Sequence, residues 1–333
     1  MTTETISPTP ASFDAFTFGD PVPVLDQREL MQYAETAWNG RWYEPPISVD
    51  GLDRAFRSAV HHASAIIVKR NILSATFVPH RLLSRADFKR LAFEYIVFGN
   101  GYLERVDAIG GRPMRLRPSP AKHTRRAKED RYVFLHSWHQ EHEFAPGSIF
   151  HLIEPDLSQE IYGVPEYLAG LQSAFLNESA TLFRRRYYLN GSHAGFILYI
   201  NDAIHSEQDV DAIRTALKNA KGPGNFRNLF LYSPNGKKDG VQLIPISEVA
   251  AKDEFTGIKA ATRDDMLAAH RVPPQLLGVM PNNAGGFGDI TKAAAVFAAN
   301  ELKPLQSVFQ QVNQWIGEEV IRFEPYSLEA SIA

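Results

Sequence analysis

The sequence contains no cysteine. Disulfide bonds and thiolate metal sites are therefore excluded, and the composition fits a protein that folds in a reducing cytoplasm. No stretch approaches the roughly 18 uninterrupted apolar residues that a membrane-spanning helix needs. The N-terminus also lacks a basic segment followed by an apolar run, so we expect neither a secretory signal nor a membrane partner.

An excess of positive charge is lacking as well. The 35 Lys and Arg residues stand against 38 Asp and Glu, which gives a formal net charge of −3. A protein that grips DNA neutralises phosphates with Lys and Arg and usually shows a basic excess. The charge therefore leaves two interpretations open. Either DNA is not a partner, or the contact with DNA is weak enough for the DNA to slide.

The rest of the composition is that of a folded protein. Hydrophobic residues make up 44% of the chain and charged residues 22%, and 333 residues can bury a sizeable core. Residues 1–27 depart from this pattern, because they are rich in Thr, Ser and Pro and show no regular period. They are interpreted either as an extended arm, whose Phe13, Phe16 and Phe18 anchor on a neighbour, or as a plain disordered tail.

The first half of the chain combines helical periods with short alternating strands. Helical spacing predicts helices over about 26–38, 52–69 and 84–99, and the third begins at Ser84 as its N-cap and ends at Gly99. Strands are predicted at the alternating segments that follow, which are 102–106, 114–117, 132–136 and 148–153. Helices followed by a small antiparallel sheet indicate the α+β class.

The second half is built from long helices around a compact unit. Helices are predicted over 166–189 and 247–270, with a small α/β unit at 195–246 between them. A loop rich in glycine and asparagine then leads into a third helix from Thr291. Pro304 removes a hydrogen bond inside this helix, so we expect a kink near residues 300–303.

Seven short segments, spread over almost the whole chain, match the pattern of one known family. They lie at 16–21, 40–46, 98–104, 161–165, 183–191, 195–198 and 271–278. The last of them, Arg-Val-Pro-Pro-Gln-Leu-Leu-Gly, is the strongest match. In their order and spacing these segments resemble the phage portal protein family, and the first two resemble the branch typified by P2-like phages.

The resemblance implies a portal fold with an α/β wing, a two-helix stem, a small α/β clip and a kinked tunnel-facing helix. The implied segments are an N-terminal arm at 1–27, the wing at 28–165, a first stem helix at 166–191, the clip at 192–246, a second stem helix at 247–271, a tunnel loop at 272–290, and the tunnel-facing helix with a C-terminal wing segment at 291–333.

By this resemblance, the loop after the second stem helix faces DNA in a channel. Its candidate DNA-channel residues are Asn282, Asn283, Gly285, Gly286 and Lys292. Glycine and asparagine make a flexible segment without charge, which approaches a duplex without gripping it. The alternative is an ordinary surface turn.

The resemblance also makes the clip the docking face for the packaging motor and for head-completion proteins. The candidate docking residues are the basic side chains of this region, Lys218, Lys221, Arg227, Lys237 and Lys238. They suit an acidic partner or DNA leaving the channel. The alternative is that they are solvated loop charges.

The family's portals are dodecameric rings, closed by a heterologous interface. The implied partners are further copies of the chain, double-stranded DNA, the terminase large subunit, the major capsid and scaffold proteins, and head-completion proteins. The implied location is the portal vertex of the virion, and the host cytoplasm during assembly. Leu176 and Phe183 lie off the main apolar stripe of their helix, as contact between subunits requires, although an ordinary buried helix in a monomer explains the same residues.

A stretch rich in histidine and glutamate supplies the alternative hypothesis, a soluble oligomeric enzyme with a site near His136, His139 and His142. Zinc proteases need the spacing HExxH or HxxEH on a helix, and neither occurs, because Trp138 stands where the inverted form needs histidine. The stretch also follows a predicted strand, in which residues three apart point to opposite faces. We therefore predict no catalytic residue, no metal and no cofactor.

Overall fold

The computed structural model describes residues 36–137, 140–189, 196–200, 241–245, 251–279 and 289–328. Within these residues the predicted α+β class is confirmed, because helices pack beside small antiparallel sheets. No helix in this part of the chain is long and apolar enough to cross a membrane. The elements predicted within 201–240 lie outside the described residues.

The helix predicted over 52–69 is two helices, so that prediction was wrong. Helix α1 spans Val49–Ala55 and α2 spans Val60–Thr76. Between them the Ser58 hydroxyl donates a hydrogen bond to the Ala55 carbonyl, and Ala59 has an extended backbone (φ −137°). A side chain that bonds to a local carbonyl competes with the helical ladder, which ends α1 early.

The third helix of the first half is confirmed with both of its caps. Helix α3 spans Arg85–Phe98, and the Ser84 hydroxyl accepts a hydrogen bond from the Asp87 amide at its N-terminus. Gly99 ends it with a left-handed backbone at φ 68°. The helix predicted over 26–38 is described only at 36–38, where the chain is not helical and Trp38 forms a β-bridge with Tyr43.

Two three-stranded antiparallel sheets follow α3. Strands β2 (Asn100–Asp107), β3 (Pro113–Ser119) and β7 (Ile149–Ile153) form the first sheet in the order β3-β2-β7. Strands β4 (Thr124–Arg126), β5 (Tyr132–Ser137) and β6 (Gln140–Glu143) form the second in chain order. The four predicted strands are confirmed, but the single sheet expected for them was wrong, because 132–136 belongs to the second sheet. Strands β4 and β6 were missed because they are too short to show an alternating pattern.

The long helices of the second half are confirmed in their described parts. A 3-10 turn at Glu166–Gly170 continues into α4, Leu171–Leu189, and α5 spans Ala251–Ala269. Between them in sequence, β8 (Phe196–Ile200) pairs antiparallel with β9 (Val241–Pro245). We call α4 and α5 together the helical hairpin.

The C-terminal helix is continuous but changes its hydrogen bonding midway. A 3-10 turn at Pro274–Leu277 is followed by α6 (Ile290–Phe297), a π-helical turn (Ala298–Leu302) and α7 (Lys303–Ile316). Near residues 300–303, where we expected a kink, the helix has this π-turn and continues directly into α7. The chain then forms β10 (Arg322–Phe323), which pairs with β1 (Phe77–Val78).

A cluster of aromatic rings fixes α7 against the first half of the chain. Phe77 and Phe88 stack with ring centroids 4.2 Å apart. The Phe309 ring of α7 meets Phe88 and Tyr95 edge to face, at 5.3 Å from each. Each fully buried ring of this kind contributes about 1.5–3 kcal/mol. The C-terminal helix is thus anchored in the same core as α3.

Candidate functional site

Segments 98–104 and 161–165, which the sequence analysis singled out, cross each other at two glycines. A Cβ atom added to Gly163 would lie 2.0 Å from the Gly99 carbonyl oxygen and 2.5 Å from the Glu154 amide nitrogen. Gly99 also has a positive φ, which other residues adopt only at a cost. The crossing explains why glycine stands at both positions.

Asn100 joins the same two segments through its side chain. Its Nδ2 donates to the carbonyls of Gly163 and Phe98, and its Oδ1 accepts from the Gly163 amide, each at 2.8 Å. His151 Nε2 lies 2.9 Å from the same Oδ1, and its ring stacks on Tyr102. Burial lowers the pKa of His151 well below its ordinary value, so a neutral ring donates to Asn100.

Arg271 opens segment 271–278 and lies at the end of α5. Its backbone is left-handed (φ 54°), which is uncommon for a residue with a side chain. Its Nε lies 2.5 Å from Glu301 Oε2, and its Nη2 pairs with Glu166. The hydrogen bond to Glu301 and the charges of both carboxylates raise the pKa of Arg271. Carboxylates from two other elements thus hold this cation.

The other oxygen of Glu301 accepts from Lys69, and both side chains are buried. Burial lowers the pKa of Lys69, and the negative charge of Glu301 opposes that effect. Neither residue was predicted from the sequence, because their contact joins positions 232 residues apart.

A pair of buried histidines lies beside this ion cluster. His62 Nδ1 and His270 Nε2 are 2.9 Å apart, and the Tyr167 ring packs against both imidazoles. Burial lowers the pKa of His62 to about 4 and, with the nearby cations, that of His270 to about 2. Both rings are therefore neutral near pH 7. The histidine pair joins α2 to the end of α5.

The helical hairpin is held together by close and specific contacts. A Cβ atom added to Gly170 would lie 2.7 Å from the Ala269 Cβ, so the chains approach closely at the base of the hairpin. Further along, the Asn177 Nδ2 donates to the Thr262 hydroxyl at 2.8 Å, with both side chains buried. These contacts set the register between α4 and α5.

One face of α4 carries exposed apolar side chains. Leu176 is 50% exposed and Phe183 is 39% exposed, and their separation of seven residues places them on one face. Leu171 and Phe175 are buried in the core on another face. Since an α-helix turns about 100° per residue, Leu176 points away from Asn177, which bonds to α5. The two apolar side chains therefore lie on a face that stays partly exposed to solvent within the subunit.

Of the predicted DNA-channel residues, the structure describes Lys292, while Asn282, Asn283, Gly285 and Gly286 lie outside the described residues. Lys292 is in the first turn of α6, and its side chain is 85% exposed. Its Nζ lies 3.4 Å from Asp289 Oδ2, and the Asp289 side chain also caps the helix. The cation is accessible, but a neighbouring carboxylate partly offsets its charge.

The predicted docking residues of the clip all lie outside the described residues. These are Lys218, Lys221, Arg227, Lys237 and Lys238. Their role stays a prediction.

Two histidines of the alternative enzyme hypothesis are described by the structure. His136 and His142 are exposed on the paired strands β5 and β6, where His142 is opposite Phe134. His139 lies outside the described residues. Within the part of the chain that the structure describes, three or more metal-ligating side chains do not come together anywhere.

Comparison with known proteins finds relatives over almost the whole chain. The family model described as phage portal protein matches residues 66–331. The chain is also 54% identical over 327 residues to the probable portal protein of Escherichia phage P2, covering 98% of this chain and 95% of that protein.

Solved structures share the fold. The neck of a native gene transfer agent particle, computed with C12 symmetry, matches with a TM-score of 0.61 at 17% identity, covering 92% of this chain and 86% of the other. The crystal structure of an HK97 family phage portal protein from Corynebacterium diphtheriae matches with a TM-score of 0.58 at 14% identity, covering 84% and 95%. These likenesses at low identity establish the fold.

Proposed function

This chain belongs to the phage portal protein family, and on that premise we propose that its copies form a ring at one capsid vertex, the channel through which DNA is packaged and later ejected. The observation that carries the proposal is the 54% identity to the probable portal protein of Escherichia phage P2 over 98% of the chain. The role we assign to the ring is structural, and a separate motor supplies the energy for packaging.

The exposed apolar face of α4 supports assembly into a ring. A heterologous interface buries apolar side chains that a single subunit leaves exposed to solvent, and Leu176 at 50% and Phe183 at 39% exposure are two such side chains. Because each side chain is already about half buried, covering its exposed part at an interface would contribute about 1 kcal/mol. We propose twelve copies, because a similar fold occurs in a neck computed with C12 symmetry.

Charge substitution on this face tests assembly. We expect Leu176→Asp combined with Phe183→Asp to yield folded subunits that do not form rings, because the interface would bury two carboxylates without partners. Circular dichroism would check folding, and light scattering would measure the mass in solution. The matched control is Ile109→Asp, an exposed apolar residue at the β2–β3 turn, which should assemble normally. Rings of unchanged mass in the double variant would contradict this assignment.

We propose that loop 281–288 and Lys292 meet DNA in the channel. The near-neutral composition supports weak contact, since a strong cationic grip would resist translocation. The pairing of Lys292 with Asp289 fits the same requirement. Shortening residues 282–288 should leave ring assembly intact and reduce the DNA packaged or retained by particles. Normal packaging by assembled rings of the shortened variant would show that this loop is wrongly assigned.

We propose that segment 192–246 docks the terminase large subunit during packaging and head-completion proteins afterwards, while the outer surface of the ring contacts major capsid and scaffold proteins. The support is the stretch 212–238 within the segment, which contains six Lys and Arg and no Asp or Glu and therefore suits an acidic partner. Changing Lys237 and Lys238 to glutamate should weaken terminase binding to assembled rings and make the remaining binding less sensitive to salt. Unchanged affinity in both respects would place the docking surface elsewhere.

A further inference from the structure

One buried carboxylate joins four elements at the base of the helical hairpin. Glu301 lies in the π-turn and is 3% exposed. Its oxygens accept hydrogen bonds from Lys69 on α2 and from Arg271 at the end of α5. Arg271 in turn bonds to Glu166 in the 3-10 turn that begins the hairpin. The cluster thus connects α2, both ends of the hairpin and the C-terminal helix.

The π-turn is what brings Glu301 into this position. The Lys303 amide donates to the Ala298 carbonyl five residues earlier, whereas an α-helix would bond to the fourth. Phe297 and Leu302 are both buried although they are five residues apart, a step that fits one wide turn. Pro304, which has no amide hydrogen, favours such a break in the ladder. The added residue turns Glu301 inward beside Leu302.

The ion pair between Arg271 and Glu301 also fastens the two ends of one chain segment. The two residues are thirty positions apart, and the segment between them contains the loop proposed to meet DNA. On one side the chain leaves α5 at Arg271, and on the other it runs through α6 into the π-turn. A contact between the two ends fixes where the chain leaves the hairpin and where it returns.

We propose that Glu301 is a positioning residue of the portal, which sets the exit of the helical hairpin against the C-terminal helix and thereby sets the location of the segment between them. Its consequence for DNA rests on the proposed function. Glu301 itself, being buried, acts through Arg271 and through the helix that carries it.

Stability alone would not require these charges. A buried ion pair can often be replaced by apolar residues of similar volume without loss of stability, because taking two charges out of water is costly. Arg271 also keeps a left-handed backbone, which carries an energetic cost in a residue that is not glycine. Hydrogen bonds from two cations to one carboxylate are directional, so they hold the four elements in a single arrangement. Apolar contacts are less directional and would define that arrangement less well.

The first test uses Arg271→Gln in the full-length assembled protein. Glu301 keeps Lys69 as its partner in this variant, so the buried charge is not orphaned. We expect amide hydrogen exchange to rise at least about tenfold over 273–279 and 290–297, because the Arg271–Glu301 contact that fastens the two ends of the segment containing them is lost. The matched control is Arg81→Gln, which removes another ion pair between distant elements, with Glu318, and should leave both segments unchanged. Unchanged exchange in Arg271→Gln would overturn the proposal.

The second test separates positioning from stability. The double variant Lys69→Met/Glu301→Met replaces the buried pair by apolar side chains and leaves Arg271 without its partner in the π-turn. We expect a melting temperature near that of the wild type, exchange as fast as in Arg271→Gln, and particles that retain less DNA although rings form. Wild-type exchange and DNA retention in this variant would mean that the ions serve stability only.

Hydrogen exchange and DNA retention test two different claims. Hydrogen exchange tests the contact whether or not the protein conducts DNA. If the exchange rises as expected but particles with either variant retain DNA normally, the segment is positioned by Glu301 and its proposed contact with DNA is wrong. If the wild-type protein forms no ring, the proposed function itself fails while the exchange result still stands.

Discussion

At the scale of single residues, the buried histidine pair makes stability depend on pH. Unfolded His62 and His270 would titrate near pH 6.5, but burial lowers their folded pKa values to about 4 and about 2. As the pH falls below about 6.5, the unfolded chain takes up protons that the folded chain does not, so stability decreases. Between pH 7.5 and pH 5, each histidine would lower the free energy of unfolding by roughly 2 kcal/mol.

Denaturant unfolding at pH 7.5, 6 and 5 would measure this loss. The variant His62→Gln/His270→Gln should be less stable at pH 7.5, because the buried contact is disturbed, but should lose less stability on acidification than the wild type. An equal loss in both proteins would show that these two histidines do not account for the pH dependence.

The glycine crossing gives a second prediction for single residues. Gly163→Ala should be strongly destabilising, by more than about 3 kcal/mol, because its Cβ would overlap the Gly99 carbonyl and neither backbone has room to move. Thermal unfolding would measure the effect. Gly257→Ala is the control, since it lies in α5 with no atom near the added Cβ and should stabilise by about 1 kcal/mol. Similar melting temperatures for the two variants would contradict the account.

The caps of α3 could be predicted from the sequence, whereas the partners of Glu301 could not. Ser84 and Gly99 act on the backbone next to them, so local pattern is sufficient to identify them. Glu301 owes its role to Lys69, more than two hundred residues away, and no local pattern reports such a contact. The sequence pointed to Arg271 only as part of a segment that resembles a family.

At the scale of elements, the same distinction between local and distant causes applies. The long helices of the hairpin and the strands β2, β3, β5 and β7 were predictable, because their periods extend over several residues. The break between α1 and α2 was missed, because it depends on one hydroxyl, that of Ser58, bonding to a carbonyl. The π-turn was expected only as a kink at Pro304.

The end of the C-terminal helix yields a prediction at this scale. The Asn313 side chain accepts from the amides of Val320 and Ile321 and donates to the Ile321 carbonyl, and these bonds direct the chain into β10. Asn313→Ala would remove both bonds to Ile321, whereas the Val320 amide keeps the Glu318 carbonyl as its acceptor, and the change should cost roughly 2 kcal/mol.

The matched variant is Asn313→Asp, which keeps both accepting bonds and loses the donating one, so it should cost less than the alanine variant. Denaturant unfolding of the two proteins would measure the difference. Equal loss of stability would show that the side chain does not hold β10 through these accepted bonds.

At the scale of the whole molecule, the fold of a single subunit does not explain why α4 exposes apolar side chains. Leu176 and Phe183 are exposed although the helix that carries them is packed on two other faces. In a single subunit this exposure is unfavourable, and the proposed ring would bury the same face at an interface.

Electron microscopy of the purified full-length protein, with averaging of views along the symmetry axis, tests this account most directly. The account predicts closed rings of twelve copies around a central hole wide enough for a DNA duplex, with α4 of each subunit at the boundary to the next. A monomer or a compact dimer without an axial opening would contradict it.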